Sequence, residues 1–417
     1  MNDWRELKLG DVCKVKGGKR LPKGKTLSDV PNLHPYIRIR DVGKTKSLTL
    51  TTDFEYVDDE TQRQIKNYIV SENDVIISIV GTIGLVAKIS RSLDKANLTE
   101  NCAKLIELQD ANSDFLYYYL TSDAGQCEIK KGTVGAVQPK LPLKNIQDIN
   151  INLPPLPEQR AIAATLSCLD DKIELNRKIN KNLEELAQAI FKRWFVDFEF
   201  PDENGQPYKS SGGAMVDSEL GMIPAGWRVG KFGDISAQKR QLTDPISISA
   251  NTAYIGLEHM PRGAIALHDW ANAEDLSSVK YQFEQGDILF GKLRPYFHKV
   301  GVAPINGVCS TDIVVIKPQS NEWYSYVLCI ASSQSFVDYA TAGSTGTKMP
   351  RTNWNDMAAY KICVPVIEKA SALDLLIQPC IIRIISNLLE NRILSLTRDT
   401  LLPKLMSGEI RVPIEMP

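Results

Sequence analysis

Two stretches of the chain carry apolar residues at alternating steps of four and three. In the first, Ile162, Leu166, Leu169 and Ile173 are followed by Leu183, Leu186 or Ala187, Ile190 and Trp194. This heptad seam predicts a long helix from Glu158 to about Phe195, with no proline or glycine inside it. In the second, Leu373, Ile377, Ile384, Leu394 and Leu401 predict a helix from about Ile367 to Met406. Pro379 falls within it, and the missing N–H there predicts a kink or a broken first turn. Both seams are interrupted by asparagines, Asn176 and Asn180 in one and Asn387 and Asn391 in the other. A buried asparagine in a heptad lowers stability but fixes register and partner. The shared offset of 211 residues predicts that the helices pair with each other rather than packing separately as ordinary core. An antiparallel pair of about 39 residues, near 58 Å at ~1.5 Å per residue, would place a globular domain at each end.

Outside the seams the pattern shortens to a period of two. Tyr36-Ile37-Arg38-Ile39-Arg40 alternates apolar and basic side chains and predicts a strand with one buried face. Val75 to Val80 and Ile83 to Ile89 are β-branched runs that predict two strands turning around Gly81-Thr82. Phe115 to Leu120 predicts a short buried helix. Leu153-Pro154-Pro155-Leu156-Pro157 must be extended before the first long helix begins. Much of this is written twice. Trp4, Gly10 and Asp11 return as Trp227, Gly233 and Asp234; Gly132 and Gly135 return as Gly343 and Gly346. Asp74-Val75-Ile76-Ile77 returns as Asp287-Ile288-Leu289-Phe290. The expected fold is α+β: two pseudo-repeated, strand-rich mixed domains separated by two long antiparallel coiled-coil-like helices. The expected boundaries are residues 1–152 and 226–364 for the domains, 153–200 and 365–417 for the helical regions, and 201–225 for a Gly/Ser/Asp-rich linker.

Composition narrows the class. A hydrophobic share of 43% and a charged share of 24% over 417 residues are those of an ordinary globular protein. Eight scattered cysteines without a CxxC pair, and four dispersed histidines, predict free buried thiols in a reducing compartment and no metal site. With no signal-like N-terminus and no run approaching the ~18 apolar residues of a membrane span, a soluble cytoplasmic protein is expected. The net charge of −1 hides a cluster: residues 13–46 hold ten basic side chains against Asp29 and Asp41. That excess is compatible with a nucleic-acid surface or with a solvated face.

Catalytic equipment is missing. There is no GxxxxGK[ST] loop and no GxGxxG opening a helix. The Gly81 to Gly84 pair lies between strands and fits a hairpin. Leu153-Pro154-Pro155-Leu156 lacks the polar and aromatic groups of an amino-methyltransferase tetrad. No PD…ExK arrangement, GxSxG elbow, HExxH or paired carboxylate stands out. The sequence reads as one that recognises rather than reacts.

Two long stretches carry a specific resemblance. One is Leu-Pro-Pro-Leu-Pro-Glu-Gln-Arg from Leu153, continuing through Leu-Asp-Asp-Lys-Ile-Glu-Leu-Asn-Arg-Lys-Ile-Asn to Phe191-Lys-Arg-Trp-Phe-Val-Asp-Phe198. The other is Arg398-Asp-Thr-Leu-Leu-Pro-Lys-Leu-Met-Ser-Gly-Glu409. They resemble the two conserved regions of specificity subunits of type I restriction-modification systems, and the layout of two variable domains each followed by a long helix is similar over the whole chain. The resemblance implies that each domain is a target recognition domain for one half of a bipartite double-stranded DNA target, with the helix pair as the ruler for the spacer. It implies two modification subunits that carry S-adenosylmethionine and methylate adenine, and restriction subunits that use ATP and Mg²⁺, with no cofactor on this chain.

On that basis the candidate DNA contacts in the first domain are Lys16, Lys19, Arg20, Lys23, Arg38 and Arg40, with Lys130, Lys131, Thr133, Gln138 and Lys140. In the second they are Lys239, Arg240 and Gln241, then Lys292, Arg294, Tyr296 and Lys299, then Thr345, Thr347, Lys348, Arg351 and Asn353. Such side chains reach base edges or set register on phosphates. The aromatic cluster Phe191, Trp194, Phe195 and Phe198 would close the first helix on interior partners or dock a modification subunit. Rival readings are a tandem protein-binding scaffold without DNA affinity and the recognition subunit of a related type II system with a fused methyltransferase-nuclease partner.

Overall fold

The computed structural model describes residues 4–43, 45–274, 276–346 and 349–413. The chain divides into two compact units, residues 1–172 with 394–417, and residues 173–393. Each long helix contributes to both units: the first spans Leu156–Phe191 and the second Ile367–Ser407.

In the first unit the central sheet has five strands in the order Lys14–Gly17, Cys102–Ile106, Val75–Ser78, Val86–Ile89, Ser47–Leu48. Val75, Ile76 and Ile77 are fully buried because the sheet is covered on both faces. Ile77 joins Phe115, Leu116 and Leu120 of the helix Ser113–Thr121 on one side, and Ile76 joins Ile37, Ile89 and Leu98 on the other. A strand covered on both faces reads as a continuous apolar run rather than an alternation. Arg5–Lys8 pairs antiparallel with Asn150–Leu153 and so brings the two ends of the domain together.

The second unit repeats this plan. Its four-stranded sheet runs Ser236–Gln238, Ile313–Pro318, Ile288–Gly291, Val300–Val302, and Arg228–Lys231 pairs with Lys361–Val364. A separate five-stranded sheet carries Ala253–Ile255 and Lys280–Phe283. The recurring Gly-Asp pair has the same function in both copies. Asp11 accepts a hydrogen bond from the Lys8 N–H, and Asp234 accepts one from the Lys231 N–H, each at 2.9 Å. A Cβ on Gly10 would lie 3.0 Å from Cβ of Gln147, and one on Gly233 would lie 2.9 Å from Cβ of Ala358. Glycine recurs there because a helix lies against the backbone.

The helices face each other inside each unit. In the second unit the Asn387 amide donates to Asn180 at 2.7 Å, and the Asn176 amide donates to Asn391 at 2.9 Å and to Glu390 at 2.8 Å. Register rises on one helix as it falls on the other, so the segments are antiparallel. Leu373, Ile377, Ile381, Ile384 and Leu388 fill the seam with Ala187, while Leu186 is half exposed. In the first unit Arg398 pairs with Asp170 at 2.7 Å, and Asp170 also accepts from the Tyr118 hydroxyl at 2.7 Å.

Several expectations need correction. The strand at Tyr36 spans only Pro35–Ile37; the Arg38 N–H donates to Asp41 and the chain turns into a short 3₁₀ helix, Ile39–Asp41. The second long helix continues without a break through Pro379. Residues 201–225 are folded despite their linker composition: Met215–Val216 pairs with Ile223–Pro224, and Ile223 enters the core. Cys127 and Cys168 are exposed, unlike the buried Cys13, Cys102, Cys309 and Cys329. One window of Ile367–Ser407, with a mean hydropathy of 1.6, is long and apolar enough to cross a membrane by length and composition. Its seam residues lie in the core of the second unit.

Candidate nucleic-acid interface

In each unit two hairpins are joined edge to edge. In the first, Val75–Ser78 and Val86–Ile89 are connected by a loop whose glycines, Gly81 and Gly84, have φ of 78° and 88°. Val80 of this loop bridges Lys140, which also bridges Val134 across a second hairpin turning at Gly135 (φ 96°). The Leu141 N–H donating to Ile79 at 3.0 Å completes the junction. In the second unit the same junction forms between Leu293 and Arg351, and Arg351 bridges Thr345 across a hairpin turning at Gly346 (φ 102°). The Arg294 N–H donates to Pro350 at 2.8 Å and the Thr352 N–H to Lys292 at 3.1 Å. Loops zipped by backbone hydrogen bonds hold their side chains in place better than free loops. Exposed residues on these rims include Val134, Val137, Gln138 and Lys140 in the first unit, and Tyr296, Thr345, Met349 and Arg351 in the second.

The structure sorts the basic candidates. In the first unit much of the local positive excess is answered by acids from elsewhere in the sequence. Lys14 pairs with Glu107, Arg20 with Glu100 at 2.7 Å, and Lys25 with Glu60 at 2.5 Å. Arg38 and Arg40 share Glu55, and Lys46 pairs with Asp114 at 2.8 Å. The ion pairs hold Glu100, Glu107 and Asp114 below the usual carboxylate range; for Glu100 and Asp114 they do so against burial. Lys16 and Lys23 are exposed, and the Lys19 ammonium lies 5.5 Å from the Tyr68 ring centre. Lys130 and Lys131 close the helix Asp123–Gly132, with Lys131 on Glu128 at 2.6 Å, and the Thr133 hydroxyl donates to Ile129.

In the second unit Lys239 is turned inward onto Glu284 at 3.2 Å and Asp287 at 3.5 Å. Lys299 donates to the Leu257 carbonyl, and burial pushes its pKa down. Asn353 caps the helix Trp354–Ala358 by accepting from the Asp356 N–H at 3.0 Å. These three side chains have internal work. Arg240 and Gln241 are exposed, Lys292 is half-buried at the junction, and Arg351 meets Asp312 at 3.2 Å. Thr347 and Lys348 lie outside the described residues. The hairpins therefore bring Lys292, Arg294, Tyr296, Thr345 and Arg351 together, while Lys239, Lys299 and Asn353 do not join them. Sequence reasoning missed Arg262, an exposed residue whose guanidinium lies 4.1 Å over the Phe297 ring beside Tyr296; a lone arginine in a Pro-Arg-Gly turn gives no signal.

The four aromatic residues at the end of the first long helix pack on the core of the second unit. Phe191 and Phe195 are buried against Tyr326, and Phe195, Phe198 and Phe200 surround Trp227. Two of the four rings are thus enclosed in the core of the second unit, with Trp194 and Phe198 at its edge. Beside this core a cavity of about 450 Å³ lies between helix residues Asn180 to Gln188 and the turn Gly263 to Ala266. Its half-buried carboxylate, Glu184, accepts the N–H groups of Ile265 and Ala266 at 2.9 and 3.0 Å, and burial still raises its pKa. That carboxylate is occupied as a fastener. No group of three His, Cys, Asp or Glu side chains able to hold a metal ion occurs among the described residues.

A duplicated fold with equivalent zipped hairpins defines a two-module recognition chain. Comparison with known proteins gives this class a family. Residues 1–185 match the type I restriction modification DNA specificity domain. The MjaIX specificity subunit of a type I restriction enzyme from Methanocaldococcus jannaschii is 26% identical, over 98% of this chain and 94% of its own length. The HindI specificity subunit from Haemophilus influenzae is 24% identical over 98% of this chain and its full length. A solved type I S subunit from M. genitalium shares the fold, with a TM-score of 0.56 at 16% identity over 97% of this chain and 96% of that one. Over nearly its whole length the chain is thus similar to the specificity subunits of type I restriction-modification systems, a class that recognises DNA sequence and is itself non-catalytic.

Proposed function

We propose that each unit reads one half of a bipartite duplex DNA target and that the paired long helices set the spacer between the halves. The observation that carries this reading is the repetition of one construction, two zipped hairpins with exposed rims, at equivalent places in both copies of the fold. Half-site geometry mirrors protein geometry in other duplex readers. In this account the chain recruits two modification subunits, which bind S-adenosylmethionine and methylate adenine, and restriction subunits that use ATP and Mg²⁺. It binds none of these cofactors itself and acts in the cytoplasm. Base reading falls to the hairpin rims (Thr133, Gln138, Lys140; Lys292, Arg294, Tyr296, Thr345, Arg351), with Lys16, Lys19, Lys23, Arg240 and Gln241 as phosphate contacts. The net charge of −1 requires that partners share the phosphate neutralisation.

The test is duplex binding by the assembled complex across a range of salt concentrations. Affinity for the cognate duplex should fall steeply as salt rises. A complex with no duplex affinity and no salt dependence would favour a protein-binding scaffold.

A further inference from the structure

We propose, on the DNA-recognition reading above, that Arg262 is a specificity-determining residue of the second unit, presenting its guanidinium to a guanine edge in that unit's half of the target. Arg262 lies in the turn at residues 261–266. Its guanidinium is 4.1 Å over the Phe297 ring, and Phe297 meets Tyr296 edge-on at 4.8 Å. Arg262 and Tyr296 are both exposed. Stacking on a ring engages the face of a guanidinium and leaves its in-plane N–H groups unused. Among the described residues no hydrogen bond or ion pair takes up those of Arg262.

Both stacking partners are fixed from behind. The Gly263 N–H donates to the His298 carbonyl at 2.9 Å, the Val302 N–H donates to Ile265 at 3.0 Å, and Glu184 holds the N–H groups of Ile265 and Ala266. On the other side the His298 ring meets the Ser332 carbonyl at 2.9 Å and Gln334 at 3.2 Å, which anchors the loop carrying Phe297. The plane of the guanidinium is therefore set before any ligand arrives. A phosphate contact needs only a cation within reach, which a flexible lysine supplies. A fork of fixed plane matches the paired O6 and N7 acceptors of guanine in the major groove. The local charge also suits a duplex. Lys299 is close enough that Arg262 helps burial to push its pKa down, with Glu258 acting in the opposite sense. Two cations held near each other favour an electron-rich ligand.

The test uses Arg262→Ala, which removes the guanidinium, and Arg262→Lys, which keeps the charge without the fork. Each full chain is assembled with its modification subunits, and melting, duplex binding and the methylated motif are measured. Both variants should melt with the parent, because the side chain is exposed. Cognate binding should fall by roughly 5- to 150-fold in both, with one guanine-containing base pair of one half-site becoming degenerate. Replacing that guanine by 7-deazaguanine, which lacks the N7 acceptor, should weaken binding by the parent complex and leave binding by Arg262→Ala unchanged. A lysine variant that keeps the parent motif would make Arg262 a phosphate contact and overturn the guanine role. An unchanged motif in the alanine variant, a change in both halves, equal sensitivity of parent and alanine variant to 7-deazaguanine, or a lower melting temperature would also overturn it while leaving DNA recognition intact. Failure of the unaltered complex to bind duplex would remove the underlying reading as well.

Discussion

The buried asparagine pair of the second unit gives a quantitative test of the helix seam. Asn180 and Asn387 are 3% and 0% exposed, and the Asn387 amide donates to the Asn180 carbonyl oxygen at 2.7 Å. The Asn387 oxygen has no hydrogen-bond partner among the described residues. Changing Asn387→Leu alone removes the donor and leaves the Asn180 oxygen buried and unsatisfied, which costs about 1–3 kcal/mol. Changing both residues to leucine removes the amide pair and the orphaned acceptor together, so the double variant should match or exceed the parent. A double-mutant cycle should therefore show coupling of ~1–3 kcal/mol. The single change should lower the melting temperature by about 2–4 °C for each kcal/mol lost. Five of the six tryptophans lie in the second unit, so urea unfolding of the full chain followed by tryptophan fluorescence reports mainly on it. If the two single changes add without coupling, the asparagines do not meet as described.

Three further outcomes are expected. Gly10→Ala and Gly233→Ala should each destabilise by roughly 1–3 kcal/mol in thermal unfolding, because the new Cβ would press on Gln147 or Ala358; unchanged stability would show that those helices can move away. Ellman's reagent on the native chain at pH 8 should modify Cys127 and Cys168 quickly. Burial pushes the thiols of Cys13, Cys102 and Cys309 up to about 12, so these three should react only after unfolding. Asp114 is half-buried, which raises its pKa, but Lys46 and Lys88 outweigh that burial and hold it below the ordinary carboxylate value. A lowered folded-state pKa means that its stabilisation is present above the unfolded value and is lost as pH falls through the folded one. Acid unfolding of Asp114→Asn should be less steep than that of the parent in that window, and identical profiles would contradict the assignment.

The duplicated plan was legible in the sequence because its markers are residues that geometry leaves little freedom to replace. Gly10 and Gly233 lie under a helix, Asp11 and Asp234 cap a turn, and Gly135 and Gly346 turn with positive φ. The asparagines were legible for a similar reason, since a polar residue inside a heptad seam is a visible exception. Charge was the poorest guide to the site. Lys239 and Lys299 look like surface cations until Asp287 and the Leu257 carbonyl are folded against them, and both partners are remote in sequence. The strand at Tyr36 ended early because Asp41 captures the Arg38 N–H, a local side-chain contact that outcompetes an alternating pattern. The zipping of the hairpins depends on non-local bridges such as Val80 to Lys140, which no periodicity reveals.

The most direct measurement is adenine-methylation mapping across the genome of cells that express this chain together with its modification subunits. The account expects methylation at one bipartite motif, two short defined words separated by a spacer of fixed length. Methylation at a single uninterrupted word, or none that depends on this chain, would contradict it.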